Sequence, residues 1–167
     1  FVRLFAATTV ANAQQKIGHI NADEIFQQTT EFKTASDQLK ILSETKQKEI
    51  EGMVAELQKK EKEANDLMLN QSEANKADTQ TKLNTIGKEY QQIQTRIQEV
   101  QKVAQEEVAK RQQELMAPIQ TKVMNAITSV AKEKGYAYIL DIGSGAAVFY
   151  AGGDDVSADV KAKLGIK

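Results

Sequence analysis

The sequence predicts an α+β protein that is mostly helical, with a small β-containing body and a long antiparallel helical hairpin, the arm. Between Thr34 and Ala117 there is no proline and there are only two glycines, Gly52 and Gly87. Apolar residues recur there every three or four positions, which is typical of helices that pair along one narrow row. The β-rich segments lie at the two ends of the chain. The body is therefore predicted from residues 14–34 and 118–167, and the arm from residues 35–117.

Residues 1–13 have the character of the end of a secretory signal. They are apolar and small, they lack an initiator Met, and they finish in Ala11-Asn12-Ala13, the pattern at which signal peptidase cuts. A retained membrane anchor fits this ending less well, and thirteen residues are fewer than the roughly twenty that span a bilayer. We expect an exported protein that is not an integral membrane protein, beginning at Gln14 or Gln15.

The front of the body is predicted as a strand followed by a helix. The strand covers residues 16–21, with Ile17 on one face and Ile20 on the other. Asn21 or Asp23 is expected to cap the helix, since a short oxygen-bearing side chain can accept hydrogen bonds from free N–H groups in the first turn. The core-facing residues of this helix are expected to be Ile25, Phe26 and Phe32.

The arm is predicted as two helices joined by a polar turn within residues 70–79. The apolar row of the second helix is Leu83, Ile86, Tyr90, Ile93, Ile97, Val100 and Ala104. The row of the first helix is looser and consists of Leu39, Leu42, Ile50, Met53, Leu57, Ala64 and Leu67. A helix of about forty residues is about 60 Å long.

The back of the body begins at Pro118, where a kink or restart of the helix is expected because proline cannot donate the helical hydrogen bond. Gly135 is expected to end that helix. The core-facing residues between them are predicted to be Ile119, Val123, Ala126, Ile127 and Val130.

A β-hairpin and a short helix are predicted after Gly135. The hairpin strands are residues 136–142 and 146–151, separated by Gly143-Ser144-Gly145 and closed by residues 152–155. The final helix covers residues 156–164, with Ser157 as a possible cap. Its apolar face consists of Val160 and Leu164.

One strand and one hairpin make a three-stranded sheet, which is marginal alone and exposes its edges. Assembly of several copies would cover these edges, so an oligomer is predicted. The residues expected to form the oligomeric body are Ile17, Ile20, Ile139, Val148 and Tyr150.

The charge distribution and the reactive residue types of the chain argue against several classes of function. The formal net charge is −1. The segment from Lys40 to Glu114 contains thirteen Lys and Arg residues and fourteen Asp and Glu residues, so its charges nearly balance. A nucleic-acid partner is therefore not expected. There is no cysteine, and the single histidine, His19, is interpreted as a residue of the sheet. Residues 152–155 could offer carboxylates to a cation, but a turn is the preferred interpretation. We expect no cofactor, no metal and no enzymatic activity.

The two ends of the chain resemble the Skp/OmpH family of periplasmic chaperones for outer-membrane proteins. The motifs that carry this resemblance are Ile17-Gly-His-Ile-Asn-Ala-Asp-Glu-Ile-Phe-Gln27, Gly135-Tyr-Ala-Tyr-Ile-Leu-Asp141, Ala147-Val-Phe-Tyr150 and Asp155-Val-Ser-Ala-Asp-Val-Lys-Ala-Lys-Leu164. The resemblance implies a homotrimer with a small barrel of strands, whose three arms enclose unfolded outer-membrane proteins without ATP. The best-known members are strongly basic, whereas this chain is nearly neutral.

The candidate client contacts are Met53, Leu67, Met68 and Leu69. An alternative role for Met53 and Leu67 is to pair the two arm helices. Two other functions also fit a long helical hairpin: a structural coiled-coil scaffold of the cell envelope, or an adaptor that binds one particular enzyme.

Overall fold

A computed structural model describes residues 15–145, 147 and 149–166. The elements are β1 (Ile17–Ile20), α1 (Ala22–Gln28), α2 (Thr30–Leu69), α3 (Lys76–Lys134), β2 (Tyr138–Asp141), β3 (Asp154–Asp155) and α4 (Ser157–Leu164). The predicted fold class is confirmed in its main features: the protein is mostly helical, with a long helical arm and a small three-stranded sheet. The predicted signal segment, residues 1–13, lies outside the described residues.

The chain forms two compact units. One unit, here called the body, contains the described residues up to Lys33 and those from Pro118 onward. The other, here called the arm, is Thr34–Ala117. Within the described ranges, no helix combines the length and the apolar composition that crossing a membrane requires.

The sheet of the body has the order β2-β1-β3, and both pairs are parallel. Ile17 pairs with Tyr138 and His19 pairs with Leu140 on one side of β1. On the other side of β1, His19 pairs with Asp155. The strand nearest the N-terminus is thus the central strand.

The predicted β-hairpin is wrong. Its first strand exists as β2, but none of the described residues between 146 and 151 belongs to a strand, and β3 lies further on, at Asp154–Asp155. Each edge of β1 accepts one of these strands in parallel, so β2 and β3 are separated by β1 and do not pair with each other. The hairpin prediction considered only nearby residues, whereas the partner that organises the sheet comes from the other end of the chain.

The core of the body joins the sheet to the helices around it. Its buried apolar residues are Ile20, Ile25, Val123, Ala126, Val130, Val156 and Val160. Partly buried residues pack against this cluster, among them Phe26, Ile127, Ile139 and Leu164. Most of the predicted core-facing positions of α1, α3 and α4 are therefore confirmed. Phe32 is an exception, because α1 ends at Gln28 and Phe32 lies on α2, where its ring contacts Phe26 at 5.1 Å but is not part of the core cluster. Ile119 is buried but also lies outside this cluster.

The helix ends agree with most sequence signals. The Asn21 side chain accepts a hydrogen bond from the Glu24 N–H at 3.0 Å and caps α1. Gly135 follows the last residue of α3 with φ of 70°, a left-handed conformation that glycine adopts without strain. In α4 the cap prediction is wrong: Ser157 is the first helical residue, and its N–H donates to the Asp155 carboxylate at 2.8 Å.

Of the kink or restart expected at Pro118, the restart does not occur, because α3 continues through this residue, and the kink stays a prediction. Proline removes one backbone hydrogen bond from a helix. Buried residues follow at once, beginning with Ile119, and their packing holds the chain in the helical path.

Candidate functional site

The two helices of the arm meet along the predicted apolar rows. Every residue predicted for the rows of α2 and α3 is buried or half-buried, and most of the residues between them are exposed. We call these two rows together the seam. Met53, Ile86 and Ala104 are its most buried members. A row of this kind places apolar area between two helices and leaves their other faces in water.

Two lysines fill the gaps that made the α2 row appear loose. Lys46 and Lys60 are half-buried, with 24% and 25% of their side chains exposed, and each makes an ion pair of 2.6 Å across the arm. Lys46 pairs with Glu107 and Lys60 pairs with Glu89. These hydrogen bonds raise the pKa of both lysines above the usual value. Both lysines were absent from the predicted rows because those rows included only apolar residues, although the spacing of the two lysines matches the α2 row.

Other polar contacts also link the two helices. The Tyr90 hydroxyl donates to the Glu61 carboxylate at 2.8 Å, which raises the pKa of Tyr90. Arg111 donates to the Gln38 side-chain oxygen at 3.2 Å. Contacts early in α2 reach late residues of α3, as for Gln38 with Arg111, whereas contacts late in α2 reach early residues of α3, as for Glu61 with Tyr90. The helices are therefore antiparallel, as predicted.

The four candidate client contacts occupy different environments. Met53 is only 7% exposed, within the seam, and Leu67 is half-buried there. Their positions agree with the alternative role of pairing the arm helices. Met68 and Leu69, at the end of α2, are 52% and 83% exposed. These two are the candidates whose side chains are available to another molecule in this structure.

The turn that joins the arm helices is held by its own side chains. The Asn75 side-chain oxygen accepts from the Ser72 N–H at 2.7 Å, and its amide donates to the Asn70 carbonyl at 3.0 Å. The exposed Met68 and Leu69 therefore precede an ordered polar turn.

In the body, one face of the sheet is apolar and exposed. Ile17, Tyr138 and Leu140 are exposed, and they lie in paired positions on β1 and β2. The Tyr150 ring lies 5.1 Å from the His19 ring, which shares this face. We call Ile17, His19, Tyr138, Leu140 and Tyr150 together the outer sheet face. Phe149, next to Tyr150, is also exposed.

The residues predicted to form an oligomeric body are divided between the two faces of the sheet. Ile20 and Ile139 face the core of the same chain, where Ile20 is buried and Ile139 half-buried. Ile17 and Tyr150 belong to the outer sheet face. Val148 lies outside the described residues. Tyr138 and Leu140 were not among the predicted residues, although the alternation of β2 would place them on the same face as each other.

The polar residues at the sheet edge form contacts with one another. The Tyr136 hydroxyl donates to the Asp154 carboxylate at 2.7 Å, and this hydrogen bond lowers the pKa of Asp154. The ammonium group of Lys16 lies 4.2 Å from the centre of the Tyr136 ring. Asp154 and Asp155 therefore form a paired edge strand rather than the predicted turn, and the described residues contain no cluster suited to a metal ion.

His19 is a residue of β1, and its ring lies on the outer sheet face. Its Nδ1 atom is buried, and no described group forms a hydrogen bond with it. The ring packs against Tyr150. This environment agrees with the interpretation of His19 as a residue of the sheet.

Comparison with known proteins places both units in one family. The model of a family described as "Outer membrane protein (OmpH-like)" matches residues 16–164, from the start of β1 to the end of α4. The chain belongs to the OmpH-like family. A curated relative, the chaperone protein Skp of Yersinia enterocolitica, is 30% identical over 159 residues, which are 94% of this chain and 90% of that protein. The resemblance inferred from the end motifs is thus confirmed. In this OmpH-like chain the matched region includes the seam and the outer sheet face.

Proposed function

We propose that this protein is an ATP-independent periplasmic holdase, a chaperone that encloses unfolded outer-membrane β-barrel proteins and prevents their aggregation. The observation that carries the proposal is the family match over residues 16–164, together with a relative named as a chaperone. We propose the periplasmic location and the class of client on the basis of this family membership. The geometry of the arm and of the sheet supports a proposal for how a client is held and how copies assemble.

The arm supports holding by many weak contacts. Most of the large apolar residues of the arm lie in the seam, while Met68 and Leu69 are exposed beside a polar turn. Met is unbranched and adapts to irregular partners, so it can contact many apolar sequences. The charges of the arm are nearly balanced. Holding is therefore expected to depend on apolar contact and enclosure more than on attraction between net charges.

The outer sheet face supports assembly as a homotrimer through the body. It presents exposed apolar and aromatic side chains on a sheet of only three strands. A face of this kind is normally covered in a stable protein. The two edges differ, because β3 consists of two aspartates, which discourage strand pairing, whereas β2 has the sequence Tyr-Ile-Leu-Asp. We expect other copies to cover the outer sheet face and the β2 edge.

Assembly is tested on the full chain by light scattering. Leu140→Glu places a charge on the outer sheet face and should convert the trimer to smaller species. The control is Ile41→Glu, which places the same charge at an exposed apolar residue of the arm and should leave the mass unchanged. A trimer in both variants would show that this face is not the interface.

Holding is tested by mixing the protein with several unrelated unfolded outer-membrane barrels and measuring light scattering by aggregates. The protein should suppress aggregation without nucleotide at one trimer per client, whereas a scaffold or an adaptor for one enzyme should not. Replacing both Met68 and Leu69 by serine should weaken holding, and Val103→Ser, at another exposed apolar arm residue, should not.

The same assay, repeated from low to high salt, separates apolar from electrostatic capture. Exposed charges are screened beyond about 8 Å at physiological ionic strength. Affinity should therefore change little with salt if contacts are apolar. A collapse of affinity at high salt would contradict the apolar account while leaving the chaperone function intact.

A further inference from the structure

On α2, two charged residues interrupt the apolar row of the seam. Between residues 37 and 69 of α2, Lys46 and Lys60 are the only charged residues that are not exposed. They are fourteen residues apart, which is two heptads, or about 21 Å of helix. They divide the α2 row into three apolar blocks.

Each seam lysine meets one carboxylate on α3. The Nζ atoms of Lys46 and Lys60 lie 2.6 Å from carboxylate oxygens of Glu107 and Glu89, respectively. Both pairs link residues distant along the chain, unlike pairs such as Lys40–Glu44, which lie within one helix. The two cross-helix pairs form only when α2 and α3 have the observed alignment.

The apolar residues alone distinguish poorly between alignments. Since they recur with the heptad, sliding one helix by seven residues again places apolar residues opposite apolar residues. The two lysines do distinguish the native alignment from these shifted ones. A slide in one direction brings Lys46 opposite Val100 and Lys60 opposite Lys82.

The opposite slide also fails at Lys60. It brings Lys46 opposite Glu114, which is an acceptable partner, but it brings Lys60 opposite Arg96. In both neighbouring alignments Lys60 therefore meets a cation, and like charges in a half-buried row repel one another.

We propose that Lys46 and Lys60 are positioning residues that determine the alignment of α2 on α3, Lys60 chiefly by excluding the two alignments one heptad away. A polar residue in an otherwise apolar row is known to specify register at some expense of stability. The inference concerns the arm alone and holds whether or not the protein is a chaperone. The competing determinant is the ordered turn around Asn75, which also favours one alignment.

Distances between spin labels in the full-length protein test this inference. The chain has no cysteine, so cysteines can be introduced at two exposed positions, Ser43 and Gln91, without other changes. Labelled chains are diluted with unlabelled ones so that distances within one chain dominate. The unmodified seam should give one distance, and a heptad slide would move the labels by about 10 Å along the arm.

Two seam variants should populate shifted alignments. Lys60→Glu repels Glu89 in the native alignment and attracts Lys82 or Arg96 in the neighbouring ones, so a second distance should appear. Replacing Lys46 and Lys60 together by leucine keeps the row apolar, so the arm remains helical and should also show a second distance.

Two controls separate alignment from general damage. Lys60→Arg keeps the charge and should retain the single distance. Replacing Lys40 and Lys110 by leucine removes two highly exposed lysines outside the seam and should also retain it. If both seam variants keep helicity and the single native distance, the turn sets the alignment and the proposal is wrong.

Discussion

The body and the arm bury apolar residues in different ways. In the body, a strand, three helices and their connections contribute to one cluster, and Ile20, Val156 and Val160 are at most 1% exposed. In the arm, two helices share one seam, and most of its residues remain half-buried. A core residue of the body thus has neighbours on all sides, whereas a seam residue has them on one. The same substitution is therefore expected to lower the free energy of unfolding more in the body than in the arm.

The largest expected effect is in the body. Ile20→Ala should lower the free energy of unfolding by about 2–5 kcal/mol, the range for a large aliphatic residue removed from a well-packed core. Urea denaturation followed by circular dichroism measures it. Ile41→Ala, at a residue 63% exposed, should change the free energy by less than about 0.5 kcal/mol. Equal effects at the two sites would contradict the assignment of the core.

The next effect concerns the seam. Met53→Ala should lower the free energy of unfolding by about 2 kcal/mol, the low end of the range for buried methionine, because only one helix packs against this residue. Met68→Ala should cost far less, since Met68 is exposed. Hydrogen exchange of arm amides should report the loss more clearly than that of body amides. A larger loss of protection in the body would show that the two units do not respond separately.

A third comparison uses glycines. Gly52→Ala and Gly87→Ala should each stabilise the arm by about 1 kcal/mol, since alanine favours helix and a methyl group at either site would touch nothing within 4 Å. Slower hydrogen exchange of the arm amides in these variants would show this stabilisation. Gly135→Ala should instead destabilise the body, because φ there is 70°. If the arm glycines act as flexible points, both alanine variants should also hold fewer clients.

The smallest expected effect is a difference in pH response between the units. Hydrogen bonds from the Ser157 hydroxyl and N–H lower the pKa of Asp155 in the body. The stability from this contact is present above the unfolded pKa of the carboxyl and is lost as pH falls through the folded pKa. Asp155→Asn should therefore reduce the loss of unfolding free energy between pH 7 and pH 3.

The arm should respond at the opposite end of the pH scale. Its seam lysines have a raised pKa, so their stabilising effect is complete below the unfolded lysine pKa and is lost as pH rises through the folded one. Lys60→Met should reduce the loss of stability in strongly alkaline solution. An unchanged alkaline response would show that the Lys60–Glu89 pair contributes nothing measurable.

The two units also differ in what their sequences reveal. The seam could be predicted because helical contacts repeat locally, so residues such as Ile86 and Met53 are recognisable by spacing alone. Lys46 and Lys60 could not be assigned to it, because the identity of a lysine does not show whether a carboxylate lies across from it. Their partners are separated from them by a turn and many residues.

The sheet was harder to predict than the arm. Asp154 and Asp155 have little preference for strands, so no local signal places a strand there. They pair because β1 offers an edge, and Asp154 is held by Tyr136 and Lys16. Conversely, the β-rich residues around Tyr150 suggested a hairpin, but their position depends on contacts that the local sequence does not encode. The outer sheet face was only partly found for the same reason.

The central position of β1 has a consequence for the order in which the molecule can be completed. The N–H of Ala22, just after β1, donates to a carboxylate of Asp141, 119 positions later. The arm helices need only their connecting turn to come together, so they can pair while the rest of the chain is still being made. β1 must wait for β2 and β3, which are synthesised after both arm helices. Until Tyr138 has been made, Ile17 and Ile20 therefore lack the strands that pair with β1, although both helices of the arm are already complete.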